Sequence, residues 1–358
     1  MKRSLYKLVL AAVLMNIAAA ATTAQEVNKK YSKVFSVDPA TAVVISNRYG
    51  DVTVENWDKN EVSIDVVVTA EMSTPDRSER VLEMINVEFM ENDTAVGATT
   101  IIDSRFSSIT RGSGTNRFKI DYTIRMPGKN NLNIANRYGN IKIDEHPGWV
   151  NIDLRYGNLV ALRLTRGNVK PINCIAISYG KATLDEANWL SVITRYTTDL
   201  SIRKVQAMML DSRYSKIIID EAGSLVADSK YDNISVKNIN NFVAEAAYTS
   251  MKLGTLSSSL NLAAKYGSFE AATVPPGFER LTVDASYCGI TLGIDKNAAY
   301  KLEAKVNYGS ISYCEDCIDI QRRIVESTSR EIVGIAQPDK SPSATVTIKS
   351  SYASVRLR

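Results

Sequence analysis

The chain has 358 residues, 45% hydrophobic and 23% charged, and its 43 basic and 39 acidic residues give a formal net charge of +4. That balance supplies no basic surface with interleaved aromatics that would track nucleic acid. A single histidine excludes a zinc site of the usual His-rich kind.

The first residues carry Lys2, Arg3 and Lys7, then a largely apolar stretch from Leu8 to Ala21, then Thr22-Thr23-Ala24. This charge–apolar–small order predicts a secretory signal over residues 1–24. The apolar stretch is shorter than the roughly 20 residues needed to span a bilayer, and no later segment is long and uncharged enough, so no transmembrane span is expected after signal removal. Removing those residues takes away three basic groups and leaves 40 against 39, a nearly neutral mature chain.

Residues 25–70 read as N-terminal strands with the first copy of a recurring phrase: a tyrosine, two small or polar residues, then apolar–any–apolar. It is Tyr-Gly-Asp-Val-Thr-Val at Tyr49 and Tyr-Gly-Asn-Ile-Lys-Ile at Tyr138. Between them, residues 71–131 change character. Ser73-Thr74-Pro75-Asp76 is a helix start followed by apolar residues at helical spacing, and strand candidates return at Val87–Met90, Thr99–Asp103 and Phe118–Met126. This block is expected to be an inserted, β-rich cap with one short helix, shielding the end of a stack.

From residue 132 the phrase dominates, with tyrosines at Tyr138, Tyr156, Tyr179, Tyr196, Tyr214, Tyr231, Tyr248, Tyr266, Tyr287 and Tyr308, mostly 17 or 18 residues apart. Such a period is too short for helix pairs and fits one coil of β-strands. Residues six and four before the tyrosine are apolar in every repeat except for Asn173 before Tyr179, as in Leu225 and Ala227 before Tyr231, and share one strand face. After the tyrosine the apolar positions fall three and five residues on, as in Ile217 and Ile219, so the inward parity flips and a corner intervenes. The two residues after the tyrosine, often Gly-Asp or Gly-Asn, are assigned to that corner. Small residues two before it, such as Ser212 and Ala246, are read as leaving room for the rings. The expected fold is therefore all-β: a parallel β-solenoid (β-helix) of about 17–18-residue coils over 132–313, its tyrosines aligned in a ladder. Residues 314–341 are expected to form a loop or elaborated coil, and 342–358, with Tyr352, a final coil.

Arg or Lys precedes the tyrosine in seven coils, and acids such as Asp211, Asp228 and Glu245 lie two residues earlier on the same outward face. Stacking predicts an acidic row beside a basic one, a solvated and ion-paired face. The alternative is a strip for anionic glycans or calcium, with Asp211, Asp228 and Glu245 the acids to examine.

His146 precedes Pro147-Gly148 and reads as a turn residue. Cys314-Glu-Asp-Cys317 lacks the strand–helix setting of a redox motif and the second pair of a zinc ribbon. A local disulfide between Cys314 and Cys317 is expected, with free or metal-binding thiols as the alternative. Cys174 and Cys288 are expected to remain thiols. No catalytic constellation, cofactor fingerprint or metal cluster is legible. A glycan-processing enzyme on parallel β-coils is the enzymatic alternative, but tight bends leave little chain to wall a cleft.

The Arg-Tyr-Gly-Asp-Val-Thr-Val and Arg-Tyr-Gly-Asn-Ile-Lys-Ile phrases, with Val54-Glu55-Asn56-Trp57-Asp58-Lys59 before a strand and helix, resemble a bacterial family of uncharacterised β-strand-repeat proteins labelled "putative adhesins". The resemblance implies an exported or envelope-bound, non-enzymatic β-solenoid with no assigned catalytic residues. Its partner is unknown, an envelope or host glycan or protein. An envelope-sensing role through a membrane partner is equally compatible with the pattern.

Overall fold

The computed structural model describes residues 26–110, 116–337 and 341–358. The expected signal segment lies outside the described residues. The chain is all-β apart from short helical segments, its strands joining one large sheet, and it divides into two units.

The smaller unit contains Val68–Asn86 and Ile102–Lys119. Its helix, Pro75–Glu83, starts where the sequence signals it: the Thr74 side chain accepts from the Arg77 amide, Pro75 opens the first turn, and Asp76 lies near the positive helix end. Val81 and Leu82 bury its apolar face. A second, one-turn helix, Phe106–Thr110, is present where the block was expected to hold one short helix only. Phe106 there meets Phe118 edge to face, with centroids 4.7 Å apart.

The larger unit is built on the tyrosine phrase. Each repeat has a leading strand before the tyrosine and a trailing strand after it. Both pair in parallel with their counterparts in the neighbouring repeats, residue on residue, as in Met208↔Leu225↔Phe242↔Leu260 and Ile202↔Ile219↔Val236↔Leu253. These apolar rows are almost wholly buried, which fixes the register, since a one-residue slip would turn every one of them outward.

Three departures from the sequence reading stand out. First, the block 71–131 is divided between the units, with 87–101 and 120–131 in the larger one. There Ala95–Thr99 pairs in parallel with Ala42–Ser46, and Tyr122–Met126 with Val52–Asn56. The insertion thus supplies a layer without the repeated tyrosine phrase beside the Tyr49 repeat. On its other side that repeat meets the Tyr138 repeat directly, Val43↔Leu132 and Val52↔Ile141.

Second, the polar stretch after Tyr308 is a hairpin. Ile318–Val325 pairs antiparallel with Ser329–Ala336, which pairs antiparallel with Tyr300–Asn307. Charge no more excludes a strand than a loop when one face is solvated: Arg322 pairs with Glu331 across this hairpin.

Third, the repeats do not stack in sequence order. Thr345–Ser351 lies between Arg280–Ser286 and Lys301–Asn307, parallel to both, and Ser354–Leu357 lies between Ile290–Leu292 and Ser310–Ser312. The Tyr352 repeat therefore intercalates, and the repeats of Tyr287 and Tyr308 are not neighbours. Twenty-one residues from Tyr287 to Tyr308 resemble any other repeat in the sequence, and only long-range pairing separates them.

Candidate functional site

The corner between leading and trailing strands lies on the tyrosine itself. All twelve repeat tyrosines have positive φ, from 51° at Tyr308 to 66° at Tyr49, a region that bulky L-residues rarely enter and that costs roughly 1–2 kcal/mol each. One left-handed residue between two extended strands reverses the inward parity. It also throws the ring outward: the eleven rings from Tyr138 to Tyr352 are 44–59% exposed.

The small residues two before the tyrosine therefore do not make room for rings. They make room for the residue after the tyrosine, whose side chain points inward. Where the earlier residue is large, the later one is glycine, as in Leu154/Gly157 and Ile177/Gly180. In five repeats where it is small, the later one carries a buried side chain: Thr194/Thr197, Ser212/Ser215, Ser229/Asp232, Ala246/Thr249, Ala285/Cys288; Ala264/Gly267 and Ser350/Ala353 do not follow this exchange. In the glycine repeats the neighbouring backbone closes in, and a Cβ on Gly157 would lie 1.9 Å from the Gly139 carbonyl oxygen. This volume exchange is written in the sequence, but it is readable only once the corner is known to be the tyrosine.

Polar corner side chains are hydrogen-bonded between repeats. Asp51 Oδ1 accepts from the Asn140 backbone and side-chain N–H groups, and Asn140 Oδ1 accepts from both of Asn158's, which explains Asp or Asn after Tyr-Gly. Further along, the Ser215 amide donates to Asp232 Oδ1 at 2.7 Å and Ser229 Oγ to its Oδ2 at 2.6 Å. Burial outweighs these bonds and raises the Asp232 pKa above the usual carboxylate range.

The outward rings form a continuous stack. Eleven successive contacts, from Tyr49–Tyr138 to Tyr287–Tyr352 and Tyr352–Tyr308, have centroids 4.7–5.1 Å apart and interplanar angles of 0–9°. Ring faces are taken by neighbouring rings, so the strip offers solvent the ring edges. Most tyrosine N–H groups also bond the next repeat, as Tyr214 N–H to the Lys230 carbonyl at 3.1 Å, whereas Tyr308 N–H donates to the Thr328 carbonyl in the hairpin. Beside the rings runs a shallow groove lined by Tyr231, Tyr248, Tyr266, Asn233, Ser250 and Ser268.

The charged rows flank this strip. Arg195 reaches Asp211 at 2.7 Å, and Arg213 sits between Asp211 at 3.0 Å and Asp228 at 3.1 Å. Arg213 also donates to the Ser212 and Asp228 carbonyls and is only 21% exposed, more tightly held than a solvated surface arginine. Asp211, Asp228 and Glu245 align in register, but Arg195 and Arg213 engage Asp211 and Arg213 engages Asp228. Among the described residues no group of three or more His, Cys, Asp or Glu side chains is placed to hold a metal ion.

His146, read from the sequence as a turn residue, instead ends the strand Ile141–His146 and is wholly buried. Its Nε2 lies 2.9 Å from the Asn130 carbonyl, and burial pushes the imidazole down to about 4. Cys314 and Cys317 form a disulfide with Cα atoms 5.2 Å apart. Cys174 and Cys288 are free thiols, and burial pushes Cys288 up to about 11.

No family model matches the sequence, and no curated protein does. Among solved structures the chain is similar to a "putative adhesin" from Bacteroides fragilis, with 13% identity over 63% of this chain and 97% of that one and a TM-score of 0.42. A "putative adhesin" from Parabacteroides distasonis shows 12% identity over 74% and 93%, with a TM-score of 0.31. A "putative lipid binding protein" from the same organism shows 8% identity over 92% and 97%, with a TM-score of 0.27. No helix among the described residues is long and apolar enough to cross a membrane.

Proposed function

We propose that the chain is an exported, non-enzymatic parallel β-solenoid acting as an adhesin-like interaction or structural module of the bacterial cell envelope, with residues 1–24 as its signal segment. The observation that carries this reading is the outward tyrosine strip, one chemistry repeated at every rung over twelve repeats. A surface of this kind binds by repetition, each rung adding a weak contact to the same extended partner. The ring edges and the Asn233–Ser250–Ser268 groove offer hydrogen bonds and apolar edges suited to a glycan or an extended polypeptide. On the flank Arg155, Arg195 and Arg213 are paired with Asp153, Asp211 and Asp228, which favours a neutral partner for the strip.

Glycan and envelope-protein arrays probed with the full chain, beside a turnover assay on envelope polysaccharides, test this reading. The expected result is retention without turnover, weakened at least severalfold by Tyr231→Ala with Tyr248→Ala. Catalytic turnover abolished by changing an outward Asp, Glu, Arg or Lys would overturn it.

A further inference from the structure

We propose that the tyrosine ladder is a site of oxidative modification, at which a one-electron oxidant joins phenol rings of neighbouring repeats as dityrosine and staples the stack across its rungs. The inference stands independently of what the strip binds. Three observations carry it. The rings are parallel and one rung apart, 4.8 Å between centroids for Tyr214–Tyr231 and Tyr231–Tyr248. Translation along the stack sets the same ortho carbon of each ring over that of the next, and these carbons hold much of the unpaired electron density in a tyrosyl radical. About half of each tyrosine from Tyr138 to Tyr352 faces solvent, so an oxidant reaches it, the proton leaves to water, and the ring has space to pivot towards its neighbour.

The step balances simply. Each of two adjacent phenols gives one electron to the oxidant and one proton to water. The two radicals then form a carbon–carbon bond between ortho positions, and loss of the two ortho hydrogens as protons, recovered at the phenoxyl oxygens from water, restores both aromatic rings. The net change is loss of two hydrogens per bond and reduction of two equivalents of oxidant. Tyr122 and Tyr300 are internal controls: both are buried, 1% and 6% exposed, and burial pushes each phenol up to about 12, so neither readily meets an oxidant or sheds its proton.

Intercalation of the Tyr352 repeat makes the test specific. Tyr352 stacks on Tyr287 at 4.7 Å and on Tyr308 at 4.9 Å, although both lie far from it in sequence. Tyr287 and Tyr308 are nearer each other along the chain but separated by that ring. The full protein is treated with photogenerated ruthenium(III) complex, using persulfate as terminal electron acceptor, and the monomer fraction is digested and mapped by mass spectrometry. Expected are dityrosine fluorescence in the monomer and cross-linked peptides joining rung neighbours, including Tyr287–Tyr352 and Tyr352–Tyr308. Tyr352→Phe keeps the stacked ring, and should lose both of those bonds without creating a Tyr287–Tyr308 bond. Tyr231→Phe should remove only the bonds to Tyr214 and Tyr248, with far-UV circular dichroism unchanged in both variants. Tyr287–Tyr308 bonds in the unaltered protein, dityrosine confined to covalent dimers, or ring hydroxylation without coupling would each overturn the proposal.

Discussion

Replacing Tyr214 by phenylalanine, glycine and alanine separates what the ring contributes from what its backbone conformation costs. The ring is 48% exposed, so about half of a tyrosine's roughly 200 Å² is buried, about 2.5 kcal/mol of hydrophobic stabilisation. Stacking on Tyr196 and Tyr231, at 5.0 and 4.8 Å, adds roughly 1–3 kcal/mol for the two contacts together. Tyr214→Ala loses both and keeps an L-residue at φ 56°, for a net loss of about 3.5–5.5 kcal/mol. Tyr214→Gly loses the same ring but relieves a left-handed strain of about 1–2 kcal/mol, partly offset by glycine's greater unfolded-state freedom, and should be more stable than the alanine variant by about 1 kcal/mol. Tyr214→Phe keeps the stack and should lie within about 0.5 kcal/mol of wild type. Urea denaturation followed by circular dichroism gives the order Phe, Gly, Ala, with denaturant slopes compared because repeat arrays need not unfold in one step. An alanine variant as stable as glycine, or more so, would refute a left-handed corner at the tyrosine.

Ile217→Ala, at a wholly buried position, should cost about 2–5 kcal/mol. Arg213→Ala should cost about 1–2 kcal/mol, more than a solvated ion pair because two carbonyls and two carboxylates lose their donor; equal midpoint shifts would contradict the assignment of inward and outward faces. His146 should make the protein acid-sensitive: the unfolded imidazole takes its proton near 6.5, the buried one only near 4. Stability attributable to it is complete above pH 6.5 and falls by roughly 3 kcal/mol as pH drops to 4. The wild-type minus His146→Gln difference across that range isolates the effect, and a flat difference would argue against burial of a neutral ring. Deleting residues 342–358 removes buried Val346, Ile348, Val355 and Leu357, about 6–12 kcal/mol of burial. It also leaves Arg280–Ser286 and Lys301–Asn307 without their shared partner. Hydrogen exchange should then accelerate at 280–312 while 190–250 stays protected; unchanged protection at 280–312 would exclude the intercalated arrangement.

The repeat period, the buried rows and the helix start at Thr74 are legible in the sequence because each depends on neighbours within one strand or turn, where side-chain parity and capping are local. The alignment of Asp211 with Asp228 and Glu245 is legible for the same reason, since equal spacing places equal positions side by side. Local spacing does not reveal which way the tyrosine points. Reading strand parity straight through Tyr214 places its ring inside, whereas a single left-handed φ sends it out and gives the interior to Ser215. Nor does it reveal that His146 is buried, that 318–336 is a hairpin, or that the Tyr352 repeat slots between those of Tyr287 and Tyr308. All the repeats carry much the same edge hydrogen-bonding pattern, so local sequence leaves several neighbours equally acceptable. Only burial of Val346 and Ile348 on both sides at once, available in the assembled stack, decides between them.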